Sequence, residues 1–393
     1  MSVNCKIIMA KGKSNHIEGE VTKVEKVERS ELAELVHKAL NKASADGSKV
    51  AYFLDEEEDP SMVTDWISTG STLLDLAISN RKHGGLPVGR IVELSSQEAA
   101  GKSLICAHIL AETQKMGGYG VLIDTENAAA PEFWKSIGLN IRNLGYVPLY
   151  TVESIFAKIE EVIGIVRKHD KKQLVTIVVD SLSQASSEVE MESEHGKDGY
   201  NTSKSIIISK ACRKITGLIG QQRILVVFVN QLRMNLAAVG HQDKWIVPGG
   251  KAMAFAASVR LRLSNMGKLK GAGQKIIGNK CKVVVTKNRM GPPHRAGLFE
   301  IHYDSGIQDL TSWLDFLKDN GFARKDGDKY VIKLPSGTVK LTTREFLEKI
   351  HAEQTFKDEI YDVIATDYIM KYRPANSQIL EGLEVEESSV DEE

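Results

Sequence analysis

The chain has 393 residues, of which 42% are hydrophobic and 26% are charged, and its formal net charge at pH 7 is −1. These values describe an ordinary globular protein with room for two or three domains. No segment reaches the ~18 uninterrupted apolar residues of a membrane helix, and the opening residues lack the apolar core of a signal peptide. We therefore expect a cytoplasmic protein without a membrane partner.

The small net charge conceals a strongly basic block. Residues 196–295 contain 19 lysines and arginines against two acids, Asp198 and Asp243, so the block carries +17 and the rest of the chain −18. One solvated helix face accounts for a few lysines but not for so long a stretch of one sign. The block favours a polyanionic partner, most often a nucleic acid.

The four cysteines lie far apart and lack the spacing of metal ligands. Cys106 and Cys281 fall inside apolar runs. This placement predicts buried free thiols in a reducing compartment.

Residues 29–42 predict the first helix. Five apolar side chains share one face of it at helical spacing: Leu32, Leu35, Val36, Ala39 and Leu40. Such a helix either packs on its own domain or acts as an arm that packs on a neighbouring subunit. The pattern alone favours neither.

The clearest chemical signal is the stretch 94–103, which reads L-S-S-Q-E-A-A-G-K-S. It lies between a predicted buried strand at 90–94 and a predicted helix at 103–116, where a phosphate-binding loop belongs. Helix N-terminal N–H groups would bind phosphates, Lys102 would reach the terminal phosphates, and Ser103 would ligate Mg²⁺. The standard pattern G-x-x-x-x-G-K-[ST] has glycine where this chain has Ser96, so the context supports the loop more than the pattern does.

From residue 49 onward the chain alternates strand-like and helix-like segments. Strands are predicted at 91–94, 120–124, 174–180 and 224–230, and helices at 152–168 and 203–217. This alternation predicts a parallel sheet covered on both faces. Ligands bind such sheets beyond the carboxyl ends of the strands.

Polar residues stand at those strand ends. We predict that Asp180 is a Walker B carboxylate that holds the Mg²⁺ hydration shell. A carboxylate at the end of the neighbouring strand, which reads D-T-E at 124–126, could orient and deprotonate an attacking water. Asn230 and Gln231 end a neighbouring strand. The alternative for Asp180 is a cap of the following turn.

Two long polar stretches, 192–205 and 232–250, lie largely within the basic block and predict loops that bind single-stranded DNA.

Residues 259–263, 281–287 and 297–303 then predict further strands, interpreted as antiparallel additions because charged and apolar residues alternate. A small α+β domain follows, with apolar anchors at Trp313, Leu314, Phe316, Phe322 and Phe346. The last thirteen residues hold seven acids and predict a disordered tail.

Together these residues resemble the bacterial RecA recombinase family. The matching segments occur in the family's order and at similar spacing: I-S-T-G-S at 67–71, G-G-L-P-V-G-R-I-V-E at 84–93, I-D-T-E at 123–126, V-V-D-S at 178–181, V-N-Q-L-R-M at 229–234, G-G-K-A at 249–252, A-S-V-R-L at 257–261 and V-T-K-N-R at 285–289. The resemblance spans about residues 30–310. It is weak in the C-terminal domain and absent from residues 1–28.

The resemblance implies an α/β fold with a RecA-like P-loop ATPase core, a mostly parallel central sheet, an N-terminal helical polymerisation arm and a small α+β C-terminal domain. The expected boundaries are 1–47 for the arm, 48–308 for the core, 309–380 for the small domain and 381–393 for the acidic tail.

The implied activity is DNA-dependent ATP hydrolysis, with ATP and Mg²⁺ as cofactors. The implied partners are single-stranded DNA, homologous duplex DNA and further copies of the chain in a helical filament, with single-strand-binding and mediator proteins as additional partners. The setting would be the cytoplasm of a bacterium or of a phage-infected host.

The resemblance also implies roles for individual residues. Glu126, Lys102, Gln231, Lys287 and Arg289 would be catalytic, with Gln231 sensing the γ-phosphate and the last two reaching a neighbour's phosphates. The nucleotide would contact Ser96, Gln97, Glu98, Ala99, Ala100, Gly101, Lys102, Ser103, Leu104 and Phe133, and the metal would contact Ser103 and Asp180. DNA would contact Ser209, Arg213, Arg233, Met234, Leu236, Gly249 and Gly250.

The chain departs from the family pattern in three places. Ser96 and Gln97 replace a glycine and a proline of the phosphate loop, so we expect strain or displacement there. Residues 127–130 lack the acid that the family places near adenine, although Phe133 keeps an aromatic for the base. The first DNA loop is also divergent.

Two other functions are compatible with these features. One is a nucleotide-gated scaffold that coats DNA without hydrolysis. The other is a ring-forming motor with the same core.

Overall fold

A computed structural model describes residues 29–42, 49–54, 62–170, 172–192, 200–220, 222–235, 244–247 and 252–372, with side chains from residue 204 in the segment that begins at 200. The chain divides into two compact units, residues 1–59 and 60–393. Within the described ranges, no helix is both long and apolar enough to cross a membrane.

The first unit contains the predicted N-terminal helix, α1 (Glu31–Lys42). The side chain of Asn41 connects it to the segment 49–54, accepting from the backbone N–H groups of Val50 and Ala51 at 2.8 and 2.9 Å. The His37 ring stacks on Phe53 with centroids 4.3 Å apart. No residue of α1 is buried.

The second unit is built on a nine-stranded sheet, flanked by smaller sheets. The strands are β1 (Trp66–Ile67), β2 (Leu86–Pro87), β3 (Ile91–Ser96), β4 (Tyr119–Asp124), β5 (Leu144–Pro148), β6 (Val175–Asp180), β7 (Ile224–Gln231), β8 (Arg233–Met234), β9 (Trp245–Ile246), β10 (Val259–Lys270), β11 (Ile276–Asn288), β12 (Ala296–His302), β13 (Gly306–Gln308), β14 (Ala323–Asp326), β15 (Lys329–Leu334) and β16 (Gly337–Thr342).

Helices lie between the parallel strands of the large sheet, between β1 and β2, and in the C-terminal part. They are α2 (Thr72–Ser79), α3 (Lys102–Lys115), α4 (Pro131–Ser136), α5 (Val152–His169), α6 (Glu188–Glu192), α7 (Tyr200–Ile219), α8 (Ala252–Ala256), α9 (Asp309–Asp319), α10 (Thr343–Ala352) and α11 (Gln354–Tyr368), with single 3₁₀ turns at Ile141–Asn143 and Ala272–Gln274.

The order in the large sheet is β13-β12-β11-β10-β3-β7-β6-β4-β5. The six strands from β10 to β5 are parallel, whereas β11, β12 and β13 are antiparallel additions. The predicted mostly parallel α/β sheet is therefore confirmed, and its carboxyl ends lie along one edge.

One strand direction was wrongly predicted. Residues 259–263, in β10, run parallel to β3 instead of antiparallel. The alternating charges suggested a solvent-facing strand, but Arg260 is bound to Glu93, a fully buried residue of β3. Arg260, which the sequence pattern placed on a solvent-facing side of the strand, is thus paired with a buried carboxylate.

Both faces of the sheet are covered, because successive residues of a strand point to opposite faces. Val92 and Leu94 of β3 belong to a core cluster that includes α3, whereas Ile91 belongs to a second cluster formed with α5 and α7. Cys106, Cys212 and Cys281 are buried free thiols, which confirms the prediction for the two that were singled out.

The C-terminal part is a small α+β layer. Strands β14–β16 form an antiparallel sheet packed with α9, α10 and α11. Trp313, Leu314 and Phe346 are buried in this cluster, and Phe316 and Phe322 pack against it. The domain boundaries set out above stay a prediction.

Helix α2, which the sequence pattern did not predict, is held by two buried carboxylates. Asp309 accepts from the Thr72 N–H at 2.7 Å and from its hydroxyl at 2.6 Å. Asp75 accepts from the Ser68 hydroxyl and from the N–H and hydroxyl of Thr69. Burial outweighs these hydrogen bonds and raises the pKa of Asp75 to about 8 and that of Asp309 to about 6.

These raised pKa values predict a pH-dependent stability. Between the unfolded value of 3.8 and about 8, the folded chain holds the Asp75 proton more tightly than the unfolded chain, so stability is lost as pH rises. One such proton corresponds to at most about 1.4 kcal/mol per pH unit. Urea unfolding from pH 5 to pH 8 should show this slope, and Asp75→Asn should reduce it.

The matched control is Asp362→Asn, which removes an exposed carboxylate paired with Lys82. It should leave the slope unchanged. An unaltered slope in Asp75→Asn would show that Asp75 does not supply the proton.

Candidate nucleotide-binding site and DNA-facing surface

The phosphate loop joins β3 to α3 at the carboxyl edge of the parallel strands. Its left-handed positions are Ala99 at φ 53° and Gly101 at φ 102°. The positive φ favours glycine at position 101, where a Cβ would also lie 2.9 Å from the Ile301 Cδ1 and require that side chain to shift.

Ser96 does not carry the strain expected of it. It is the last residue of β3, is fully buried and is not among the residues with positive φ. Its hydroxyl donates to the Gln97 carbonyl at 2.5 Å. The glycine of the standard pattern is therefore not needed here for backbone geometry, and the expectation of strain at Ser96 was wrong.

The Lys102 ammonium points back over the loop. It donates to the Ser96 hydroxyl and the Gln97 carbonyl, each at 3.0 Å. Burial lowers the pKa of Lys102, while Asp180 and Glu126 act in the opposite direction. Two oxygen acceptors of the loop therefore hold the ammonium over the phosphate loop, where a bound phosphate would meet it.

The two predicted metal ligands are in contact. The Ser103 hydroxyl donates to Asp180 Oδ2 at 2.6 Å. Burial raises the pKa of Asp180, and the hydrogen bond from Ser103 opposes that shift. A hydroxyl beside a carboxylate offers the oxygen donors that Mg²⁺ takes alongside nucleotide phosphates, so these residues fit the ion.

Glu126 is fixed by the last residue of β4 and by the residue that follows β6. Its Oε1 accepts from the Ser181 hydroxyl at 2.9 Å. Its backbone N–H donates to Asp124 Oδ1 at 2.9 Å. A carboxylate fixed in this way is suited to orient a water.

Gln231 ends β7 and bridges neighbouring parts of the site. Its Nε2 donates to Glu98 Oε1 of the phosphate loop at 2.9 Å, and its Oε1 accepts from Gln184 at 3.3 Å. Only Leu232 separates it from β8, the strand of Arg233 and Met234. Gln231 therefore connects the phosphate loop to the segment of predicted DNA contacts.

These groups surround a cleft of about 610 Å³. Its walls are formed by Glu98, Ala99, Ala100, Gly101, Lys102, Ser103, Leu104, Glu126, Asp180, Gln184, Gln231, Asn279, Ile301 and Tyr303. Most of the predicted nucleotide contacts thus converge on one site. Phe133 packs in α4 against the core instead of on this wall, and its stacking on the base stays a prediction.

Lys287 and Arg289 form a second group, outside the walls of this cleft. The Lys287 ammonium donates to the carbonyls of Ala254 and Phe255 at 2.8 and 3.0 Å, and Arg289 donates to the Phe255 carbonyl at 3.3 Å. The Phe255 side chain is 71% exposed. The cation pair is therefore bound to the backbone of α8 at Phe255, a residue whose side chain is exposed.

The predicted DNA contacts occupy α7 and β8. Arg213 is exposed on α7, and Ser209, four residues earlier on the same helix, is half-buried. Arg233 and Met234 are exposed on β8, which pairs with β9. Helix α7 begins at Tyr200, so the first polar stretch is shorter than predicted.

Three predicted DNA contacts, Leu236, Gly249 and Gly250, lie outside the described residues.

Sequence reasoning missed part of the cleft and one buried network. Asn279, Ile301 and Tyr303 reach the cleft from β11, β12 and the residue after β12, positions whose role depends on sheet pairing. The buried ion pair of Glu93 was also not predicted, although a single acid within the apolar run 91–94 could have indicated a buried carboxylate with a partner.

The arrangement defines a class. A phosphate loop between a buried parallel strand and a helix, with carboxylates at the next strand ends, is the core of a P-loop nucleotide-hydrolysing protein.

Comparison with known proteins specifies the family. Residues 17–308 match the model of the RecA N-terminal domain. Relatives named Protein RecA come from Heliobacterium modesticaldum, 33% identical over 70% of this chain and 77% of theirs, from Rubrobacter xylanophilus, 35% over 66% and 72%, and from Streptomyces avermitilis, 35% over 74% and 74%. The chain belongs to the RecA family of recombination proteins.

The geometry of Ser96 generates a prediction. Ser96→Gly should lower the free energy of unfolding by about 0.5–1 kcal/mol, because glycine adds chain entropy to the unfolded state and relieves no strain. Urea unfolding of the full chain without nucleotide measures it. Ser96→Ala separates loss of the hydroxyl from the backbone effect, and a more stable Ser96→Gly would show that the serine is strained.

Proposed function

We propose that this protein is a DNA-dependent ATPase that assembles on single-stranded DNA as a helical filament and pairs it with homologous duplex DNA. The observation that carries the proposal is the convergence of Lys102, Ser103, Asp180 and Glu126 on one cleft, next to Gln231. Membership of the RecA family supports the same function.

The phosphate loop is suited to bind ATP. The N-terminus of α3 presents backbone N–H groups, and Lys102 adds a cation that two oxygens of the loop hold in place. Ser103 and Asp180 would hold Mg²⁺ bound with the nucleotide. That ion supplies charge neutralisation on the phosphates during transfer.

Glu126 is the proposed base for hydrolysis. Ser181 and the Asp124 carboxylate fix its side chain and backbone. From this position it would orient a water toward the terminal phosphate and accept its proton.

Gln231 is the proposed connection between nucleotide and DNA. Its amide contacts Glu98 of the loop, and the chain then continues into exposed Arg233 and Met234. A change at the terminal phosphate would move Gln231 and, with it, the DNA-facing segment. Arg233 and Arg213 would meet phosphates, and Met234 would pack against bases.

Two surfaces support assembly into a filament. The apolar face of α1 is open, with Leu32 71% and Leu35 65% exposed, which favours an arm that packs on a neighbour. Lys287 and Arg289 lie away from the cleft of their own chain beside exposed Phe255. We infer that they supply positive charge to the ATP held by an adjacent subunit.

The proposal extends to the setting of the protein. The filament would act in the cytoplasm with single-strand-binding and mediator proteins. The core at 48–308 would carry ATP and DNA, flanked by the arm at 1–47, the small domain at 309–380 and the acidic tail at 381–393.

The experiment is Glu126→Gln. It removes the base without changing the size of the side chain, so ATP and DNA binding should persist while DNA-stimulated turnover falls by about 10²–10⁴-fold. Steady-state ATPase assays and filament lifetimes by electron microscopy measure the two effects.

Lys102→Ala is the matched variant, because it should lose nucleotide binding as well as turnover. Near-normal turnover in Glu126→Gln would rule out Glu126 as the base.

A further inference from the structure

Glu93 is a buried charge with no assigned role. It lies in the middle of β3, is 0% exposed, and is three residues before Ser96. One carboxylate oxygen accepts from Asn230 Nδ2 at 2.7 Å, and the other is bound by Arg260 Nε. Two neighbouring strands thus each contribute one partner.

The ion pair with Glu93 restricts the position of the Arg260 side chain. A carboxylate removed from water is costly unless its partners stay in place, and removing one partner of a buried pair leaves an uncompensated charge. The Arg260 side chain is only 25% exposed. Its guanidinium is therefore anchored at Glu93.

The register of the sheet places this pair next to the second cation group. Arg260 stands opposite Glu93 on one side and opposite Lys287 on the other, so the three side chains share one sheet face. A backbone hydrogen bond also joins the two segments just beyond this pair of residues, since the Arg289 N–H donates to the Ser258 carbonyl at 3.0 Å. The position of the Lys287–Arg289 pair is thus set by the strand that Glu93 anchors.

Electrostatics point the same way. Arg260, Lys287 and Arg289 are three cations in a small region. Burial and the two arginines lower the pKa of Lys287, whereas Glu93 acts to raise it. Glu93 is the acid that opposes the mutual repulsion of this group.

We propose that Glu93, through Arg260, is the positioning residue for Lys287 and Arg289, and that it sets their approach to the nucleotide of the neighbouring subunit. The inference rests on the proposed role of these two cations in trans. The Asn230 contact joins the same carboxylate to β7, one residue before Gln231.

The test uses Glu93→Gln in the full-length protein. Glutamine keeps the size of the side chain but removes its charge. DNA-stimulated ATP turnover should fall by roughly 100-fold, the loss expected from misplacing groups at a reacting centre by about 1 Å. Full activity in this variant would overturn the proposal.

Mixed filaments distinguish positioning in trans from damage to the variant's own phosphate loop. Glu93→Gln mixed equally with Glu126→Gln should recover activity, because a Glu93→Gln cleft can face intact cations from a Glu126→Gln neighbour. One interface in four has that arrangement under random mixing, so about a quarter of wild-type turnover is the expected ceiling. Glu93→Gln mixed with Lys287→Ala should recover none, because both subunits supply defective cations.

The opposite pattern, recovery with Lys287→Ala and none with Glu126→Gln, would place the defect in the variant's own cleft and overturn the proposal. A mixture of Lys287→Ala with Glu126→Gln tests the underlying function separately. No recovery there would refute the trans role of Lys287 itself. Glu300→Gln, which removes a strand carboxylate paired with Lys280, is the matched control and should behave as wild type.

A second variant keeps the test decisive if Glu93→Gln fails to fold. The double change Glu93→Leu with Arg260→Met removes both charges, and such replacements of buried pairs are often tolerated. It should show the same two mixing results. Full activity of the folded double variant would contradict the proposal.

Discussion

The parallel register of β3, β4, β6 and β7 is the constraint on which the site depends. Hydrogen-bonded pairing sets Asp124 level with Asp180, and Ser96 level with Gln231. Four strand ends therefore deliver the phosphate loop, two carboxylates and an amide to one edge of the sheet. No local propensity could gather these side chains, because they come from four separate strand ends spread between residues 96 and 231.

Much of this edge was predictable from sequence. An apolar run that ends in a polar residue indicates a buried strand and, at its end, a place for ligands. This reasoning identified Asp180, Glu126 and Gln231 and the loop before α3, and the structure brings them together. The apolar runs were sufficient to locate these strands, because a strand buried on both faces is apolar along its whole length.

The remainder depended on pairing between distant strands. The direction of β10 and the arrival of Asn279, Ile301 and Tyr303 at the cleft follow from sheet order, which periodicity does not encode. The charge of Arg260 predicted a solvent-facing side of β10, whereas the structure pairs this residue with the buried carboxylate of Glu93. Ser96 suggested strain because a motif was compared letter by letter, whereas the left-handed positions of this loop are Ala99 and Gly101.

ATP hydrolysis by the full chain, measured with and without single-stranded DNA across a salt series, tests the central claim most directly. A DNA-gated ATPase predicts strong stimulation by DNA that fades as salt rises, since a single strand loses affinity with a slope of roughly −0.7 per phosphate contact. Turnover that is equal with and without DNA at every salt concentration would contradict the proposed function.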